Sequence, residues 1–130
     1  MKVDFFIVGA PKSGTTSLYQ YLSEHPNVYM SKVKEPNYFT NEAIKEQKLY
    51  YNSRLVDSLS EYQDLFLERK NNQIIGEASV SYLFYPETAN KIYNHNPDAK
   101  IIMILRDPVE RAYSHYLMDY RLGYIKESFD

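Results

Sequence analysis

An apolar run, Val3 to Val8, breaks into Gly9-Ala10-Pro11-Lys12-Ser13-Gly14-Thr15-Thr16, and from Ser17 to His25 the residues Leu18, Tyr21 and Leu22 follow at i, i+3 and i+4. This order predicts a strand, a glycine-containing turn and a helix. The unit constrains the fold more than any other part of the chain. Glycines permit the tight path, and the layout points backbone N–H groups and a helix N-terminus at a bound anion. Two glycines could serve a tight turn alone. Lys12, Ser13, Thr15 and Thr16 argue for more, because several anion donors in one loop cost desolvation unless something pairs with them.

The rest of the chain alternates in the same way. His25-Pro26-Asn27 stops the first helix, Val28 to Met30 reads as a short strand, and residues 31–41 read as an ordered loop. A capping-box pattern, Ser58-x-x-Glu61, opens a helix through Leu65, Phe66 and Arg69, which Asn71-Asn72 ends. Gln73 to Ala78 is the next strand, and Pro86 suits the first turn of a helix with Ala89, Ile92 and Tyr93 on one face. After the turn cluster at residues 94–98, the uninterrupted run Ile101 to Leu105 predicts a strand buried on both faces. Pro108 then begins a helix through Tyr116 and Tyr120 towards Gly123. The expected fold is α/β with a mainly parallel sheet, in one domain covering residues 1–130.

Composition removes several classes of function. Fifteen Lys and Arg against 17 Asp and Glu leave a formal charge of −2, whereas tracking nucleic-acid phosphates needs a basic surface. The absence of Cys excludes disulfides, thiolate metal sites and a cysteine nucleophile, and three scattered His have no zinc-site spacing. His25, His95 and His115 are read as structural. The apolar runs fall far short of the roughly 20 residues that span a bilayer, so no membrane partner is expected. Met1-Lys2-Val3-Asp4 lacks the regions of a signal peptide, which makes the expected location cytoplasmic. Fourteen Tyr and six Phe suggest half-buried grooves in which rings are covered and hydroxyls partnered.

The phosphate loop differs from that of a P-loop nucleotide kinase. GxxxxGK[ST] would place Lys directly after the second glycine, where this chain has Thr15, and the strand Ile101 to Leu105 leads into Arg106 rather than into a magnesium-organising Asp. A kinase remains a third reading and predicts magnesium-dependent ATP binding. Arg106 at a strand's carboxyl end and Ser114 in the next helix form a second anion patch on the rim where open α/β sheets bind ligands. The alternative pairs Arg106 with Asp107 or Glu110 and leaves Ser114 as a helix filler.

Pro11-Lys12-Ser13-Gly14-Thr15-Thr16-Ser17-Leu18 resembles the 5′-phosphosulfate-binding loop of sulfotransferases. Ile104-Leu105-Arg106-Asp107-Pro108-Val109-Glu110-Arg111-Ala112-Tyr113-Ser114 resembles their 3′-phosphate-binding segment. The likeness extends from Phe5 to Tyr120 and implies a P-loop-like three-layer sandwich. The implied cofactor is 3′-phosphoadenosine 5′-phosphosulfate (PAPS), with adenosine 3′,5′-bisphosphate (PAP) as product and no metal. By this resemblance Lys12 contacts the bridging oxygen and the sulfuryl group. Ser13, Gly14, Thr15, Thr16 and Ser17 hold the 5′-phosphate, and Arg106 with Ser114 holds the 3′-phosphate. Lys34-Glu35-Pro36-Asn37-Tyr38-Phe39 resembles the segment that supplies a glutamate base in the carbohydrate-modifying and heparan-sulfate branch, which makes Glu35 the candidate base. Its alternative is an ion pair with Lys32 or Lys34 on a solvated loop.

Gly76-Glu77-Ala78-Ser79-Val80-Ser81-Tyr82 resembles another segment near the active site, with Ala78 in place of a lysine. Glu77 there could equally be a strand-end carboxylate with a backbone or cation partner. Family domains run to about 250 residues or more, so the chain is expected to match the first part of such an enzyme, without the C-terminal loop that closes over the adenosine. The implied acceptor is a hydroxyl or amine of a carbohydrate or other small molecule. The reading from another class is a non-catalytic PAP- or PAPS-binding module that self-associates or needs a partner chain to complete its fold.

Overall fold

Alternation along the first strand sets the layering. The computed structural model describes residues 1–47 and 55–129. Strand β1, Phe5–Gly9, is buried along its whole length, and successive side chains on a strand point to opposite faces. Phe5 and Ile7 pack with Val28, Met30 and Ala78 against Leu18, Tyr19 and Leu22 of helix α1, Thr15–Ser23. Phe6 and Val8 face the other way, into a cluster with Phe39, Tyr62, Phe66, Tyr82 and Ile92. A sheet with a core on each face and helices outside both is the α/β arrangement that the alternation predicts and the three-layer sandwich that the resemblance implies.

Four parallel strands form the sheet in the order β2-β3-β1-β4, with β2 Val28–Met30, β3 Ile74–Ala78 and β4 Lys100–Met103. Registers Phe5↔Gly76 and Phe5↔Lys100 set β1 between β3 and β4. Helix α2, Asn41–Gln47, follows a 3₁₀ turn at Tyr38–Thr40. Helix α3, Leu59–Asp64, is capped by Ser58, whose hydroxyl accepts from the Glu61 N–H at 3.2 Å. Helix α4, Thr88–His95, begins two residues beyond Pro86. Helix α5, Pro108–Arg121, opens with Pro at its first position, and the Asp107 carboxylate accepts from Val109 and Glu110 N–H. No described helix is long and apolar enough to cross a membrane.

The expected burial of Ile101 to Leu105 on both faces does not hold. β4 is an edge strand, and Ile101 and Met103 are 44% and 56% exposed. An apolar run marks a strand built to be covered, but β4 pairs with β1 on one side and nothing among the described residues covers its outer flank. Residues 31–41 also hold more structure than a loop, ending in the 3₁₀ turn and the start of α2.

Candidate functional site

Because all four strands run parallel, the carboxyl ends of β1, β3 and β4 lie along one rim, the side on which open α/β sheets bind ligands. The β1 loop enters α1 through Gly14, whose φ of 88° lies in the left-handed region that glycine tolerates best. No side chain caps α1 and no carboxylate sits in its first turn. The N–H groups of Thr15, Thr16 and Ser17 therefore lack helical partners and face the loop side, where an anion is favoured. Ser13 makes a weak bond to the Pro11 carbonyl at 3.4 Å, and Thr15 is buried.

Arg106 reaches this loop across 94 residues of chain. Its Nη1 donates to the Lys12 carbonyl at 3.2 Å, while its Nε lies 3.5 Å from Glu110 Oε2. The exposed Glu110 pair contributes little. The bond to Lys12 ties the end of β4 to the loop after β1. Ser114, two turns into α5, borders the same hollow as Lys12.

Glu35 stands at the end of β3 although it lies far from that strand in sequence. Its N–H donates to the Ala78 carbonyl at 2.8 Å, and its Oε2 accepts from the Val80 N–H at 2.8 Å. Its Oε1 accepts from Lys34 Nζ at 2.6 Å, so the ion pair that the sequence offered as an alternative is present. The carboxylate is nevertheless only partly exposed and anchored to the backbone, unlike a side chain on a solvated loop. Glu35 and Asn37 both have positive φ, 59° and 52°. Asn37 Nδ2 donates to the Glu35 carbonyl at 2.9 Å, and its own N–H donates to Ser79 Oγ at 3.1 Å.

Beneath this turn sits Glu77, wholly buried. It accepts from the Tyr62 hydroxyl at 2.6 Å and from the Ser79 hydroxyl at 2.7 Å, and the Tyr82 hydroxyl also bonds to it. Its partners are thus three hydroxyls rather than a backbone group or a cation. Burial pushes the Glu77 carboxyl from its ordinary 4.5 up to about 7, against the three hydroxyls that favour the charged form. Burial and the Glu77 charge raise both tyrosines above their ordinary value. A lone Glu in the apolar strand Ile74-Ile75-Gly76-Glu77-Ala78 was the available signal for this network.

The histidines take supporting positions. His95 Nε2 accepts from the Val3 N–H at 3.0 Å, His25 Nδ1 from the Asn27 N–H at 3.2 Å, and His115 lies 3.8 Å from Asp119. Among the described residues no cluster of three or more metal-ligating side chains is present.

Fold and rim together define an α/β domain that offers unpaired helix N–H groups and hydroxyls after its first strand and lacks the lysine position of a triphosphatase loop. The chain belongs to the sulfotransferase family, whose model matches residues 4–128. It is 34% identical to carbohydrate sulfotransferase 15 of Rattus norvegicus, over 87% of this chain and 26% of that protein. It is 33% identical to heparan sulfate glucosamine 3-O-sulfotransferase 6 of Mus musculus, over 85% of this chain and 28% of that protein. The crystal structure of a sulfotransferase from Alicyclobacillus acidocaldarius superposes with a TM-score of 0.87 at 39% identity, over 99% of this chain and 54% of that one. The chain thus spans about a quarter of these curated relatives and about half of the solved structure.

Proposed function

We propose that the protein is a PAPS-dependent sulfotransferase that moves a sulfuryl group to a hydroxyl or amine of a carbohydrate or other small acceptor. The observation that carries this reading is the convergence of the uncapped α1 loop with Arg106 and Ser114 on one rim, held by the Arg106–Lys12 bond. The residues fit the donor. Its 5′-phosphate suits the free N–H groups of Thr15 to Ser17, and a second phosphate suits Arg106 and Ser114. PAPS supplies the activated sulfuryl group. Lys12 offers an ammonium to the negative charge that spreads during transfer. Glu35, held at the end of β3, accepts the proton of the attacking hydroxyl or amine. The carbohydrate acceptor rests on the named activities of the relatives.

Calorimetric titration with PAP, beside ADP and ATP with magnesium, tests the donor site. Preference for PAP without metal supports the reading; preference for ATP with magnesium refutes it in favour of a kinase. Release of PAP from PAPS in the presence of carbohydrate acceptors then tests turnover. The exposed outer flank of β4 favours a second reading, a nucleotide-binding module that works with another chain. It predicts PAP binding without turnover and a mass above the monomer in light scattering.

A further inference from the structure

Ser114, Leu117, Met118, Arg121 and Leu122 recur on α5 at i, i+3, i+4, i+7 and i+8, which places them on one face of the helix. With Lys12 they line a hollow of about 300 Å³, room for several waters at about 30 Å³ each or for a phosphate group. Arg121 shares this lining with Leu117, Met118 and Ser114, one and two turns before it on the helix. Among the described residues, the Lys12 ammonium, the Ser114 hydroxyl and the Arg121 guanidinium have no hydrogen-bond or ion-pair partner. Arg106, by contrast, is engaged by the Lys12 carbonyl and Glu110 and is not part of the lining.

With the Lys12 ammonium taken by the sulfuryl group, the unpaired Arg121 guanidinium and the free Ser114 hydroxyl are left in the hollow for a second anionic group of the same nucleotide. A phosphate monoester carries about −1.5 to −2 near neutral pH, whereas a carboxylate carries one. The planar fork of arginine suits phosphate oxygens, and the apolar side chains of Leu117, Met118 and Leu122 lower the local dielectric and strengthen the attraction. We propose that Arg121 is a phosphate-binding residue, which with Ser114 holds the 3′-phosphate of the nucleotide, on the side of the hollow away from the sulfuryl group that Lys12 serves. The assignment rests on the nucleotide reading above and adds a contact that neither resembling segment contains.

The test is calorimetry on the full chain and on Arg121→Ala, with PAP, adenosine 5′-monophosphate and inorganic phosphate as probes. Arg121→Gln, which retains the aliphatic stem, serves if the alanine variant loses its far-UV circular dichroism, and Lys126→Ala is the charge control outside the hollow. The expected result is PAP affinity lowered about tenfold or more by either Arg121 variant, the scale of a charged hydrogen bond. Inorganic phosphate should weaken with PAP, while adenosine 5′-monophosphate stays unchanged and Lys126→Ala binds PAP as the parent does. Unchanged PAP binding in both Arg121 variants overturns the assignment while leaving the nucleotide reading intact, and so does equal weakening of PAP and adenosine 5′-monophosphate. A parent chain that binds PAP no better than adenosine 5′-monophosphate defeats the nucleotide reading itself.

Discussion

Stability should fall as pH rises from 5 to 8, and Glu77→Gln should remove most of that fall. Glu77 is wholly buried, and desolvation lifts its carboxyl from 4.5 to about 7. Between those two values the native state keeps a proton that the unfolded chain has released. Proton binding then favours the native side, so stability is greatest below the unfolded value, declines through the window and levels off above about 7. At about 1.4 kcal/mol per pH unit the whole displacement is worth about 3 kcal/mol, of which about 2 falls between pH 5 and 8. His95 works in the opposite direction. Burial, followed by the charges of the N-terminus and Lys2, lowers its pKa, so its contribution grows as pH rises. The difference between parent and variant isolates Glu77, because Gln cannot titrate and its amide oxygen still accepts from Tyr62. Urea unfolding at pH 5, 6, 7 and 8, followed by tyrosine fluorescence, measures it. Parallel stability curves for the two proteins would refute the buried, proton-holding role of Glu77.

Three further outcomes are expected. Lys12→Ala should lower turnover far more than PAP affinity, whereas Arg106→Ala should weaken PAP by about 1.5–3 kcal/mol; calorimetry beside PAPS turnover separates the two. Glu35→Gln should reduce kcat and leave PAP binding unchanged, and an unaltered kcat would remove it as the base. Gly76→Ala should cost about 1–3 kcal/mol of stability by overpacking, since a Cβ there meets the Phe5 ring and lies 2.7 Å from Met30 Sδ; a thermal melt checks it.

Local signals carried much of the fold. The run ending at Gly9, the cap at Ser58 and the Asp107-Pro108 start of α5 each depend on neighbours within a few residues, and each appears where its pattern places it. Signals that read amphipathy or apolarity without knowing the partner did less well. Ile101 to Leu105 read as a covered strand because its residue types are the same whether or not a neighbour covers it. Helix α2 was hidden because Asn41–Gln47 has a weak apolar face behind a polar stretch.

The candidate site divides in the same way. The loop with Lys12 and its hydroxyls was legible because one short segment holds both the glycines and the donors. The seating of Glu35 beneath Val80 was not, nor was the enclosure of Glu77 by Tyr62 and Tyr82, nor the placing of Lys12 and Arg121 around one hollow. What the amino-acid order determined alone is the four strands, the turns and the helix starts that carry a cap or a proline, and the chemistry offered at each. What the tertiary structure decided is which groups became partners, because hydrogen bonds and burial between distant residues depend on the parallel order β2-β3-β1-β4, and no local propensity encodes that order.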